Sequence, residues 1–126
     1  MRARARELIA GFKVKAADPE GPIAALSGGN VQRAVLAREL TGDVKLLVIS
    51  NPCFGLDFAA VSEIRARIVA ARNAGAAVLL MSEDLDEVLE LSDRVLVMSE
   101  GRITNEVAAA EAKVAEIGHH MGGHAA

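Results

Sequence analysis

The chain has no tryptophan, no tyrosine and only 3 phenylalanines among its 126 residues. Single-stranded nucleic acids are held on aromatic platforms, so the composition argues against a stacking surface for them. A core without aromatics must be filled by Leu, Val, Ile and Ala, which suits helices packed on a buried parallel sheet. There is 1 cysteine, Cys53. No internal disulfide can form, and no metal site can rest on this thiolate alone; a reducing compartment fits. Basic charge is not in excess. Lys and Arg total 14 against 17 Asp and Glu, a net charge of −3, which supplies no basic field for a nucleic acid. The longest apolar runs, such as Ala76 to Met81, fall far short of a bilayer span. Arg2, Arg4 and Arg6 look like the head of a secretion signal, but no apolar segment of the required length follows before Lys13. The expectation is a soluble chain that reaches a membrane only through a partner.

What is present reads as a folded domain, or a piece of one. Hydrophobic residues make up 52%, which argues against disorder, and a chain of this size can bury roughly two-thirds of its unfolded surface. Residues 2–12, with Leu8, Ile9 and Phe12 among arginines, predict a short amphipathic helix whose arginines form a solvated face. Residues 13–25 contain Asp18-Pro19 and Gly21-Pro22 and read as a loop. A helix then runs from the Leu26–Asn30 segment to Leu40, with Val31, Ala34, Val35 and Leu40 as its apolar face. Leu46 to Ile49 reads as a strand buried on both faces. Asp57 caps a following helix that turns Val61, Ile64 and Ile68 inward and pairs Glu63 with Arg67 outside. Gly75 closes that helix. Residues 77–81 form a second strand. Asp84 to Glu87 has capping-box spacing and starts a helix with Leu85, Val88 and Leu89 inward. Residues 94–98 give a third strand, Glu100-Gly101 a turn, and 102–107 a returning strand. A last helix is expected from Ala108 to about Met121, followed by a fraying tail. Alternating strands and helices imply a parallel α/β sheet with right-handed crossovers.

Chemistry concentrates at particular turns. Ser27-Gly28-Gly29-Asn30 pairs two glycines, which let a ligand approach the backbone, with a helix start whose free N–H groups and dipole favour an anion, phosphate above all. Ser50-Asn51-Pro52 and then Gly55-Leu56-Asp57 follow the C-terminal end of a buried strand, where sites of open α/β sheets lie. Met81-Ser82-Glu83-Asp84 occupies the end of the next strand. Each alone reads equally as a cap or an ordinary turn.

In this order, the segments resemble the C-terminal part of an ABC-transporter nucleotide-binding domain, from the start of the chain to about Gly118. Leu26 to Arg33 resembles the ABC signature and its helix, Leu46 to Pro52 the Walker B strand, Gly55-Leu56-Asp57 the D-loop, and Met81 to Glu87 the switch loop. Asn30, Asn51-Pro52 and Ser82 to Leu85 are similar to the second nucleotide-binding domain of simple-sugar and nucleoside importers. The resemblance implies an α/β fold: a partial P-loop NTPase-like domain, mainly parallel sheet flanked by helices. Residues 1–40 would form the helical signature region, 44–107 the sheet core with Walker B, D-loop and switch loop, and 108–126 the C-terminal helix and tail. It implies ATP and Mg²⁺ as cofactors, in a site shared with a partner nucleotide-binding domain belonging to the N-terminal half of the same subunit. It also implies transmembrane permease subunits as partners, no nucleic acid, and a cytoplasmic location on the inner face of the membrane.

The sequence departs from the family pattern in ways that matter. Nothing matches Gly-x-x-x-x-Gly-Lys-Ser/Thr, the phosphate-binding loop; in the family it lies upstream of the residues matched here. The family's Asp and Glu after the Walker B strand correspond to Ser50 and Asn51, and its switch-loop His to Glu83. A serine is a weak neutral ligand, an asparagine cannot take a proton at neutral pH, and a carboxylate repels phosphate. The chain's own site is therefore expected to be degenerate, with no catalytic residue and no activity alone. Its signature residues Ser27, Gly28, Gly29, Asn30 and Gln32 would instead serve ATP held by the partner, with Gly55, Leu56 and Asp57 at the dimer interface. The alternative is a non-enzymatic truncated module that binds a partner ATPase. Chromosome-maintenance ATPases share the signature type, but no heptad run occurs here. Cys53 reads as structural. His119, His120 and His124 read as a tail, because Gly122-Gly123 breaks the helix that would align them for a metal. An open sheet edge would favour self-association.

Overall fold

A computed structural model describes residues 1–16 and 18–122. It divides into two units, Met1–Leu79 and the residues from Leu80 onward. No helix among the described residues is long and apolar enough to cross a membrane.

In the first unit, Ala and Arg, both good helix formers, carry α1 (Arg2–Gly11). The helix stops without glycine in the left-handed position: Lys13 takes φ 51°. Val14 N–H reaches the Ile9 carbonyl at 2.9 Å and Lys13 N–H the Ala10 carbonyl at 3.1 Å, the paired bonds of a Schellman stop. Val14 is thereby turned into the core. A single 3₁₀ turn (Ile23–Ala25) interrupts the following loop. Helix α2 (Gly28–Glu39) buries Asn30, Leu36 and Ala37 most deeply. The expected face of Val31, Ala34, Val35 and Leu40 is only half-buried, because the helix is turned to sink a polar residue, Asn30.

Strand β1 (Leu46–Ser50) leads into α3 (Phe58–Asn73) and then β2 (Ala77–Met81), within which the division between the units falls. The β1 and β2 strands pair in parallel. Helix α3 buries Ala60, Ile64 and Ile68, and Gly75 at φ 105° closes it by donating to the Arg72 carbonyl. Burial of β1 on both faces does not hold. Leu47 is buried, but Leu46 is 61% and Val48 56% exposed, and Leu79 and Met81 of β2 are exposed as well. A parallel sheet needs a layer on each side, and the described residues cover one side only.

The Glu63–Arg67 pair is not a solvated one. Glu63 is only 18% exposed and lies between two guanidinium groups, 3.3 Å from Arg33 of α2 and 3.6 Å from Arg67. Arg67 also stacks over the Phe12 ring at 4.0 Å and donates to the Gly11 carbonyl. The i,i+4 spacing was legible, but which way the pair faces is decided by α1 and α2.

The second unit has a core of Val95, Val97 and Ile117, against which Leu85, Val88 and Leu89 pack as expected. Helix α4 (Leu85–Leu91) is capped by Asp84, whose carboxylate accepts from Asp86 and Glu87 N–H. Glu87 is buried at the third helical position, where a capping box places its acid. Ser82 stands between: its hydroxyl donates to Glu87 Oε2 at 2.7 Å and accepts from Asp84 N–H at 3.1 Å. Strand β3 (Arg94–Ser99) pairs antiparallel with β4 (Arg102–Ala108), the returning strand expected at 102–107. The reason is the two-residue turn between them: Glu100 at φ 51° and Gly101 at φ 75° have the signs of a type I′ hairpin. Thr104 occupies a bulge and directs its hydroxyl at the carbonyls of Val97 and His120. The last helix, α5 (Val114–Met121), starts six residues later than expected, since β4 runs to Ala108 and a 3₁₀ turn (Ala109–Glu111) follows. The expected tail beyond Gly122 lies outside the described residues.

Two substitutions test these assignments. Glu63→Ala strands Arg33, itself 16% exposed, and should lower the unfolding free energy in urea by about 2–3 kcal/mol, between the values for surface and buried pairs. Breaking the exposed Arg38–Glu39 pair with Arg38→Ala should change it by about 0.5 kcal/mol or less; equal losses would contradict the central placement of Glu63. Glu100→Asn suits the left-handed turn position better and should add about 0.5–1 kcal/mol, read as a higher urea midpoint; an unchanged or lower midpoint would count against the hairpin geometry.

Candidate functional site

Ser27 is the N-cap of α2, with extended backbone at φ −67° and ψ 158°. A serine in this place normally turns its oxygen onto the helix N–H groups. Ser27 makes no such bond. The residue is exposed, and its hydroxyl oxygen accepts instead from Asn30 Nδ2 at 2.9 Å. Val31 N–H is taken by the Ser27 carbonyl. Gly28 and Gly29, at the first positions of the helix, have no intrahelical acceptor for their N–H groups. The space over Gly28 is open, while a Cβ on Gly29 would meet Leu56 at 3.7 Å and Ala60 at 3.8 Å. The hydroxyl of an exposed serine, uncapped N–H groups and a glycine with nothing above it form a donor set suited to one phosphate group.

The same contacts bring the second segment to the first. Leu56 lies against Gly29, so the Gly55-Leu56-Asp57 turn and the Ser27–Asn30 turn are neighbours in the first unit. Gly55 takes φ 71°. Asp57 caps α3 by accepting from Ala60 N–H at 2.9 Å, as its place in the sequence predicts. Ser50 ends β1 and is exposed, and Asn51 adopts φ 44°, a left-handed conformation that Asn tolerates well. Neither Ser50 nor Asn51 carries a carboxylate for a cation. Glu83 is exposed and belongs to the second unit, in the turn before Asp84.

Asn30 is where the sequence reading and the geometry differ most. It was expected beside the ligand, yet it is 8% exposed and its amide is spent inside the protein: Nδ2 on Ser27, and Oδ1 on Lys15 N–H at 2.8 Å. Gln32 is half-buried on α2. Cys53 is buried, with its thiol 4.0 Å from the Val61 carbonyl, in keeping with a structural residue. His119 and His120 lie edge to face at 5.8 Å, and His124 falls outside the described residues. Lys15 escaped the sequence reading because its contribution is a backbone N–H, which every residue but proline carries. Arg33 escaped it because a guanidinium on a helix is ordinarily read as surface.

No protein-family model matches the chain, but curated relatives do. It is 42% identical over 125 residues to the glucose import ATP-binding protein TsgD13 of Haloferax volcanii, covering 98% of this chain and 23% of that one. It is 40% identical over 123 residues to the nucleoside import ATP-binding protein NupA of Lactococcus lactis, covering 98% and 24%. With the arabinose import ATP-binding protein AraG of Pseudomonas syringae pv. tomato it shares 46% over 106 residues, 84% of this chain and 21% of that one. The chain thus spans about a quarter of the length of the curated relatives it matches. Among solved structures, an ATP-binding subunit of an ABC transporter superposes with a TM-score of 0.77 at 19% identity, over 96% of this chain and 54% of the other. The cassette MJ0796 bound to ADP and phosphate gives 0.73 at 21%, over 86% and 47%; at these identities the likeness speaks to fold. Sequence relatives and fold agree, and the chain is a partial ABC domain.

Proposed function

We propose that the chain is part of the ATP-binding subunit of an ABC importer of the simple-sugar or nucleoside type. Its role there is to present the signature turn to ATP whose phosphate-binding loop belongs to a partner nucleotide-binding domain. The relatives named for glucose, nucleoside and arabinose import support the transporter class. The observation that carries the division of labour is an asymmetry of donors and acids. Ser27, Gly28 and Gly29 offer a hydroxyl and uncapped N–H groups to phosphate, whereas Ser50 and Asn51 offer neither a carboxylate for Mg²⁺ nor a base for water.

In this reading residues 1–126 act as one partial domain: the signature region at 1–40, the sheet core at 44–107, the C-terminal helix and tail at 108–126. Ser27 and the Gly28 and Gly29 N–H groups bind phosphate oxygens of the shared ATP, and Gln32 follows on the same helix. Gly55, Leu56 and Asp57 lie at the interface with the partner and couple its site to this one. ATP and Mg²⁺ bind with the partner in place, and Ser50, Asn51 and Glu83 contribute no hydrolysis. Permease subunits hold the assembly at the cytoplasmic face of the membrane.

The test is a pair of substitutions in the assembled transporter. Ser27→Arg fills the open space over the signature turn and should cut ATP hydrolysis by about a hundredfold or more, as loss of a charge-stabilising donor does. Asn51→Ala should leave it within about twofold, because no proton is handled there. Similar losses from both would refute the division of labour.

A further inference from the structure

The amide of Asn30 has two ends and only one way to face. Lys15 N–H can only donate, so the atom 2.8 Å from it must be the carbonyl oxygen of the Asn30 side chain. That fixes the NH₂ end on Ser27, where it donates to the hydroxyl oxygen at 2.9 Å. A hydroxyl that receives a hydrogen bond from an amide cannot point its own proton back at the same nitrogen. The Ser27 oxygen accepts from no N–H of its own helix, and the residue is exposed. Asn30 itself is 8% exposed and both of its bonds are part-buried, where a chain of polarised bonds is stronger than in water.

We infer that Asn30 is a positioning residue that sets the sense of the Ser27 hydroxyl: backbone N–H of Lys15 to Asn30, Asn30 to Ser27, and the Ser27 proton outward to an anionic oxygen. Ser27 then meets phosphate as a donor that needs no reorientation. The inference rests on the phosphate-binding role proposed above for Ser27. It assigns Asn30 no contact with the nucleotide, and it makes the segment after α1 part of the support of the signature turn.

Asn30→Asp is the informative variant because it keeps the shape and reverses one bond. The carboxylate still accepts from Lys15 N–H but cannot donate, so the Ser27 hydroxyl turns its proton inward and shows phosphate its lone pairs. Mg·ATP affinity is measured by calorimetry in the chain assembled with its partner ATP-binding domain, for wild type, Asn30→Asp, Ser27→Ala and the double variant. The amide exchange rate of Lys15 is followed alongside. Asn30→Asp and Ser27→Ala should each weaken binding about ten- to a hundredfold, the range for a hydrogen bond to a charged group. The double variant should bind within about twofold of Ser27→Ala, since both remove the same donor, and Lys15 should stay protected in Asn30→Asp. Wild-type affinity in Asn30→Asp overturns the inference, and so does a full added loss in the double variant, which would mean direct repulsion of ATP by the new charge. Loss of Lys15 protection on its own would reduce Asn30 to a structural residue. If Ser27→Ala binds as wild type, the phosphate-binding reading of Ser27 falls first and this inference with it. Should Asn30→Asp fail to fold, Asn30→Ala removes both bonds without adding charge and must show the same non-additivity with Ser27→Ala.

Discussion

A carboxylate held between two guanidinium groups fixes the first unit. Glu63 faces Arg33 on α2 and Arg67 on its own helix, and Arg67 in turn covers Phe12 and donates to the Gly11 carbonyl at the end of α1. Three helices are tied through one acid. Half-buried charges of this kind exact a large penalty when a partner is lost, so the arrangement specifies geometry as well as adding attraction. The Ser27–Asn30 turn stands at the start of α2 and the Gly55–Asp57 turn at the start of α3. Fixing the two helices therefore fixes the two turns, with Leu56 against Gly29.

The helix starts differ in how they are capped. Helices α3 and α4 begin at aspartates whose carboxylates take up the early N–H groups, which leaves little for an outside anion. Helix α2 begins at a serine that leaves them alone. Its third residue, Asn30, serves the serine oxygen instead of the backbone. A helix start that forgoes its own cap loses about 1 kcal/mol of local stability, a cost that binding a phosphate there would offset. Side chains that commonly cap helices thus differ in what they bond: Asp57 and Asp84 take backbone N–H groups, and Ser27 takes the Asn30 amide.

Much of the fold was legible because local signals sufficed. Asp57 and Asp84 mark helix starts, Gly75 a helix stop and Glu100-Gly101 a turn, and each acts through the adjacent backbone. What escaped depends on partners remote in sequence. The burial of Leu46 and Val48 could not be judged from the strand, since exposure is set by which layers cover the sheet. The face of α2 could not be read from its apolar spacing, because the deepest residue of its first turn is the polar Asn30, held by Lys15. The Ser27–Asn30 and Gly55–Asp57 segments were visible as motifs, and their proximity through Gly29 and Leu56 was not. The ordered set of turns carried the family, whereas the inward direction of the Asn30 side chain needed coordinates.

In the proposed assignment the Ser27–Asn30 turn meets phosphate, and the chain holds no nucleotide without a second domain. Calorimetric titration of Mg·ATP into the chain, repeated with the partner ATP-binding domain present, tests it most directly. Heat of binding in the mixture alone, at a stoichiometry requiring both domains, is the predicted result. Tight binding to the chain by itself would contradict it.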